Sequence, residues 1–167
     1  AMALHDGHLV QLATGEGKTL AAILPAAILA SRHDRCHVLT FNDYLARRDA
    51  SWMKPFFDRL GISVHAIQAT QTPTERRQAY GAQVTYATAK QVGFDFLRDG
   101  LVYSPAERVL PTLGAAIVDE ADSILIDEAR IPLVIAGERR APALRPERSA
   151  ELVRGLATGL DYLEDAD

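Results

Sequence analysis

Residues 8–19 read HLVQLATGEGKT: a short apolar run, a glycine-containing turn, then a lysine and a threonine that open a helical pattern. A strand, a glycine loop and a helix in immediate succession make a cradle for phosphate. Gly15 and Gly17 have no Cβ to stop backbone N–H groups from curling around anionic oxygens. Lys18 reaches for the outer phosphates, and the Thr19 hydroxyl is placed to ligate magnesium. A helix beginning near Lys18 adds unpaired N–H donors and partial positive charge to the same site. The expected nucleotide contacts are therefore Thr14, Gly15, Glu16, Gly17, Lys18 and Thr19. The strict phosphate-loop pattern asks for glycine at position 12, where this chain has Leu12, so the pattern is missed at one position while its GxGKT core is intact.

Outward from that loop, short β-rich runs alternate with longer helical patterns from residue 8 to residue 136. That alternation predicts an α/β fold, a mainly parallel sheet with helices on both faces. The runs His8–Leu12, His37–Phe41, Ser63–Ile67, Gln83–Ala87, Ala115–Val118 and Leu133–Ala136 read as strands, each bounded by Gly, Pro, Asp or Asn. Lys18–Ala30 has the apolar density of a buried helix with Pro25 as a kink. Asp43–Leu60 reads as an amphipathic helix that Asn42 or Asp43 caps. Thr74–Tyr80 and Lys90–Leu97 are shorter helical candidates. After Gly137 the character changes: Glu138–Glu147 carries two prolines and three arginines, as linkers do, and Ser149–Leu163 then recovers a helical pattern weakened by two glycines. The division expected is residues 1–137 as one domain and 138–167 as a linker and the start of another.

The 167 residues are 48% hydrophobic and 24% charged, enough for one domain with a real core. A net charge of −4 lacks the basic excess with which proteins neutralise a nucleic acid backbone or an anionic membrane, so no nucleic acid partner is expected. No apolar run approaches the roughly 18 residues that span a bilayer, and no signal peptide opens the chain, which leads to the expectation of a cytoplasmic protein. The single cysteine, Cys36, lies in an apolar run and reads as a buried, inert thiol.

A hundred residues after the phosphate loop, residues 115–122 read AAIVDEAD, an apolar strand running into adjacent carboxylates. Alone, such a strand end is common. With a phosphate loop upstream it becomes the second half of an ATPase site, Asp119 facing the magnesium and Glu120 orienting or deprotonating a water. Lys18, Asp119 and Glu120 are the expected catalytic residues, and Thr19 and Asp119 the expected metal residues. Asp122 stands fourth in a D-E-x-D string of the kind helicase-like motors use toward a second lobe.

Three longer segments lie outside these generic loops: TFNDYLARRDA at 40–50, TYATAKQVGFDFLRDG at 85–100 and VDEADSILIDEARIPLVIAG at 118–137. In content, order and approximate spacing they resemble signature segments of the SecA family of preprotein translocase ATPases, over roughly residues 2–137. The resemblance implies a RecA-like motor lobe that uses ATP and Mg2+. It implies as partners an unfolded preprotein, the Sec channel at the inner membrane where the full-length protein is peripherally bound, and a second nucleotide-binding lobe. It implies that residues 138–167 begin the preprotein cross-linking domain, and that this chain alone, lacking the second lobe, hydrolyses little. Arg98, Asp99, Asp127, Glu128 and Arg130 match the family's LRD and IDEAR segments and are expected to face another lobe or the preprotein domain. Asn42, Asp43 and Tyr44 fall where helicase-like motors place a polymer-facing loop. Ala89, Lys90, Gly100 and Ile131 depart from the family pattern and point to a divergent or accessory member. The competing readings are a lobe of an RNA or DNA helicase, which shares the ATP site, and a nucleotide-binding regulatory module without hydrolysis. DSILIDEAR argues against the first and Glu120 against the second.

Overall fold

Four short runs of apolar and β-branched residues become the sheet. In a computed structural model, which describes residues 2–13 and 15–135 together with Arg154 and Leu156, they are β1 (Cys36–Thr40), β2 (Val64–Ala66), β3 (Val84–Thr88) and β4 (Ala115–Val118). All pairings are parallel and the order is β2-β3-β1-β4, with Cys36 opposite both Val84 and Ala115. Parallel neighbours require crossovers, and helices supply them. They are α4 (Asp43–Arg59), α5 (Pro73–Tyr80) and α6 (Ala89–Asp99); α3 (Ile23–His33) leads into β1, after the one-turn helices α1 (Met2–His5) and α2 (Lys18–Ala21).

Alternation along the strands sorts the side chains onto two faces. Cys36, Val38, Val64, Val84, Tyr86 and Ile117 pack with Ile23, Ala26, Ala27 and Ala30 of α3 and Ala46, Ala50, Met53 and Phe57 of α4. Ala87 and Ile67 pack instead with Ala79 and Tyr80 of α5 and Val109. Helices therefore cover both faces, as the sequence pattern implies. Local signals fix where the helices start. Thr72 and Thr88 each form a reciprocal capping box, with Glu75 and Gln91, and the Asn42 side chain accepts from the Leu45 N–H. Gly114, just before β4, lies so close to the His33 and Arg35 carbonyl oxygens that a Cβ there would collide with them.

Two expected strands are absent. Residues 8–12 and 133–135 carry no ladder hydrogen bonds among the described residues, and Leu9 is 95% exposed. An apolar run becomes a strand only where it pairs with a neighbour, and among the described residues the outer edge of β4 is unpaired. The expected helix Lys18–Ala30 is divided at Ala22, one turn before Pro25, because the proline has no N–H for the Ala21 carbonyl. Residues 2–135 belong to one compact unit. Thr14, Ala136 and, apart from Arg154 and Leu156, the expected linker and helix of 138–167 lie outside the described residues.

Candidate nucleotide site

The phosphate loop, although not launched from a paired strand, has the backbone its glycines permit. Gly15 and Gly17 adopt φ of 87° and 80°, left-handed values open to glycine, and Gly17 caps the turn that carries Lys18 and Thr19. Ala13 N–H donates to the Glu16 carboxylate at 3.1 Å, closing the loop on itself. Gly15, Glu16 and Gly17 are exposed, and Thr14 lies outside the described residues.

Lys18 and Thr19 line a cavity with Thr40 at the end of β1, Tyr86 of β3, Asp119 just past β4, and Asp49 of α4. A broader groove of about 760 Å³ joins it, walled by residues 7–12, Lys18 and Ala116–Asp122, including Glu120. Both open at the carboxyl ends of parallel strands, where open α/β sheets hold ligands. Lys18, Thr19, Asp119 and Glu120 thus meet around one depression although a hundred residues separate the two pairs.

Backbone geometry aims the acidic pair. Asp119 N–H donates to the Leu39 carbonyl at 2.9 Å, extending the β4–β1 ladder by one residue. Glu120 then turns left-handed at φ 54°, a conformation costing a non-glycine residue about 1–2 kcal/mol. Such strain is typical where a side chain must be presented. Glu120 N–H donates to Asp119 Oδ1 at 3.1 Å, and the Glu120 side chain is left exposed. Downstream, Ser123–Asp127 forms a π-helical turn, a rare geometry frequent near functional sites.

Asp49 is the site residue that sequence reasoning missed. It is 2% exposed, on the same stripe of α4 as Ala46, Ala50, Met53 and Phe57. A carboxylate on an otherwise apolar stripe was the available signal. The Arg48 guanidinium donates to Asp49 Oδ1 from Nε at 2.7 Å and lies 2.7 Å away at Nη2. Burial, and then the charges of Asp49, Cys36 and Asp119, push the Tyr86 hydroxyl well above its ordinary pKa, so that phenol stays neutral at the cavity wall. Burial likewise raises the Cys36 thiol to about 12, in keeping with an inert thiol.

The expected metal donors are oxygens: the Thr19 hydroxyl and the Asp119 carboxylate. Among the described residues no cluster of three or more His, Cys, Asp or Glu side chains forms a cage. That donor set fits magnesium, which keeps several waters and binds through one or two carboxylates plus substrate phosphates.

Other expected residues have different surroundings. Asp99 is buried and accepts from the Val109 and Leu110 N–H groups at 2.7–3.1 Å, so its contacts lie within this unit. Arg98 donates to Asp95 at 3.2 Å and sits 5.7 Å from the Phe94 ring centre. Glu128 pairs with Lys90 at 2.8 Å, while Asp127 and Arg130 are exposed. Asn42 is a helix cap, and Asp43 accepts from the Ala69 N–H at 2.9 Å; Asn42 and Tyr44 are exposed.

A family model of the SecA DEAD-like domain matches residues 1–166. The chain belongs to the SecA DEAD-like domain family. The match extends beyond residue 137, where the signature segments end. The protein translocase subunit SecA 2 of Thermobifida fusca is 53% identical over 166 residues, covering 99% of this chain and 22% of that protein. The protein translocase subunit SecA of Thermus thermophilus is 50% identical over 160 residues, 94% of this chain and 16% of its own length. That of Laribacter hongkongensis is 56% identical over 137 residues, covering 81% and 15%. This chain therefore spans about a fifth of the length of the curated relatives it matches. No helix among the described residues is long and apolar enough to cross a membrane.

Proposed function

We propose that this chain is the ATP-binding lobe of a SecA-type motor that couples ATP hydrolysis to export of unfolded preproteins through the Sec channel. The observation that carries the reading is the convergence of Lys18, Thr19, Asp119 and Glu120 on one depression at the carboxyl ends of β1 and β4. The backbone donors of residues 14–19 and the Lys18 ammonium hold the phosphates. Thr19 and Asp119 hold the divalent cation, which when bound neutralises charge building on the phosphate oxygens. Glu120 orients the attacking water and takes its proton on the carboxylate. The partners proposed are a second nucleotide-binding lobe, the preprotein and the channel, with the whole protein cytoplasmic and peripheral to the inner membrane. The domain boundary near Gly137, with the preprotein domain beginning after it, belongs to the same proposal.

Glu120→Gln in the intact protein tests this. The amide still orients but accepts no proton, so ATP binding is expected to persist while hydrolysis falls about 10²–10⁴-fold. An unchanged rate would remove Glu120 from the mechanism. This chain alone is expected to bind nucleotide weakly and to turn over little, because an arginine from a second lobe is worth about 10³–10⁵ in rate in related enzymes. Steady turnover by residues 1–167 at the rate of the whole motor would refute that part.

A further inference from the structure

Asp49 has no assignment in the reading above, yet it lines the cavity that holds Lys18, Thr19 and Asp119. Its neighbours on the α4 stripe are apolar, and an apolar residue in place of a buried ion pair is often neutral or stabilising. Stability alone therefore gives little reason for a carboxylate there.

The geometry is also unusual for a simple ion pair. Successive helical residues point about 100° apart and do not ordinarily face each other. Arg48 nonetheless folds back to place Nε and Nη2 each 2.7 Å from Asp49 Oδ1, while its side chain remains 44% exposed. Both nitrogens address the same oxygen. Asp49 Oδ2 accepts no hydrogen bond from the described residues, and it is not among the side-chain atoms sealed away without a partner, which are His37 Nε2 and Gln91 Nε2. One oxygen is thus held by Arg48, the other has no hydrogen-bond partner among the described residues, and the residue itself lines the cavity. The Arg48 guanidinium lies above its ordinary pKa, chiefly through its hydrogen bond to Asp49, with the charges of Asp49, Tyr44 and Asp119 adding to it.

We propose that Asp49 is a positioning residue for the divalent cation that accompanies the nucleotide, its cavity-facing oxygen accepting from a water of that cation's shell. The inference rests on the nucleotide reading and deepens it. Magnesium at such a site keeps several waters, each needing an acceptor, and Asp119 is a single carboxylate. Arg48 is the countercharge beside Asp49 and so sets how much negative charge the cation meets.

The test uses the intact protein and a fluorescent ATP analogue, with affinity measured in EDTA and across a Mg2+ titration. For Asp49→Asn, affinity in EDTA is expected to stay within about twofold of wild type. The Mg2+ concentration giving half of the metal-dependent tightening rises about tenfold, the usual minimum when an outer-shell partner is lost. Arg48→Gln should move that concentration the opposite way, because it removes a cation beside the metal carboxylates. An unchanged Mg2+ requirement in Asp49→Asn overturns the proposal, as does an equal loss of affinity with and without metal, which is what a merely structural role produces. Circular dichroism reports whether Asp49→Asn folds. Where it does not, Arg48→Gln decides, and an unshifted Mg2+ requirement there is fatal. Lys18→Ala separates the two readings. If it binds the analogue as well as wild type, the nucleotide assignment fails. If binding depends on Lys18 and only the Asp49 result is negative, the nucleotide site stands and the role of Asp49 falls.

Discussion

The α5–α6 side of the sheet and the edge that carries the candidate nucleotide site are both rich in carboxylates, and they use them in opposite ways. Asp95 is 1% exposed and accepts from Arg76 at 2.6 Å, Tyr80 at 2.9 Å and Arg98 at 3.2 Å. Asp99 accepts from two backbone N–H groups of the turn at Val109–Leu110. Every one of these donors is internal. On the other side, the hydrogen bonds Glu16, Asp119 and Asp122 accept come from backbone N–H groups within three residues, and the Glu120 side chain is exposed on a strained backbone. A carboxylate whose donors come from distant elements holds the fold together, and one that meets only its immediate neighbours remains open to a ligand. Low local stability is the usual condition of segments that close around ligands.

The largest expected effect separates the two sides directly. Asp95→Ala strands the Arg76 guanidinium, 7% exposed, without its carboxylate, and should cost about 3–5 kcal/mol of unfolding free energy. Asp119→Ala should stay within about 0.5 kcal/mol while weakening metal-dependent nucleotide binding. Urea unfolding of the two variants measures both. Equal destabilisation by the two substitutions would break the comparison.

Acid probes the same buried side less severely. His37 of β1 lies 6.0 Å from the Tyr80 ring with Nε2 unpartnered, and burial, the main cause, lowers its pKa below the ordinary imidazole value of 6.5. The unfolded chain therefore takes up the proton first. The contribution is whole above about pH 6.5 and is lost as pH falls, at no more than about 1.4 kcal/mol per pH unit for one group. His37→Leu should flatten the stability profile between pH 7 and pH 5. A profile that keeps its slope in that variant would move the titration to another group.

Much of this division could be read in the residues beforehand, but not all of it. The four paired strands fall within about two residues of the runs that predicted them, and α4, α5 and α6 lie where their periodicity and caps put them, because those signals are local. Residues 8–12 and 133–135, expected in strands, form none among the described residues, for a different reason. Period and β-propensity report which faces are apolar, whereas a strand also needs a neighbour for its hydrogen bonds. Pro25 was recognised as a disruption, yet the break came at Ala22, where the missing N–H leaves its mark. Asp99 was expected to look outward and is buried, because its donors are supplied by a turn ten residues later that no local pattern announces. The phosphate loop and the Asp119–Glu120 pair were legible as motifs, and their meeting at one depression is tertiary.

Smaller effects sharpen the comparison at the hinge between its two halves. Thr88 ends β3 and begins α6, its hydroxyl accepting from the Gln91 N–H at 3.2 Å while Gln91 Oε1 accepts from the Thr88 N–H at 3.4 Å. Thr88→Ala removes one half of that box and should cost about 1 kcal/mol, measured by denaturant midpoint. A loss well above that would show that the cap also carries load from the Asp95 network beneath it.

The smallest effect concerns Lys90, whose ammonium lies 2.8 Å from the Glu128 carboxylate. The pair joins α6, on the well-satisfied side, to the segment that follows the acidic pair, so it is a link between the two regions compared above. Lys90 is 49% exposed at its side chain, and exposed pairs contribute about 0–1 kcal/mol because water and salt screen them and ordering two long side chains costs entropy. A double-mutant cycle of Lys90→Asn with Glu128→Gln should therefore give a coupling below about 1 kcal/mol that disappears at roughly 1 M salt. A larger, salt-resistant coupling would mean that residues 118–131 are tied to the rigid side after all. The nucleotide edge would then be less free to rearrange around a ligand than its sparse hydrogen bonding implies.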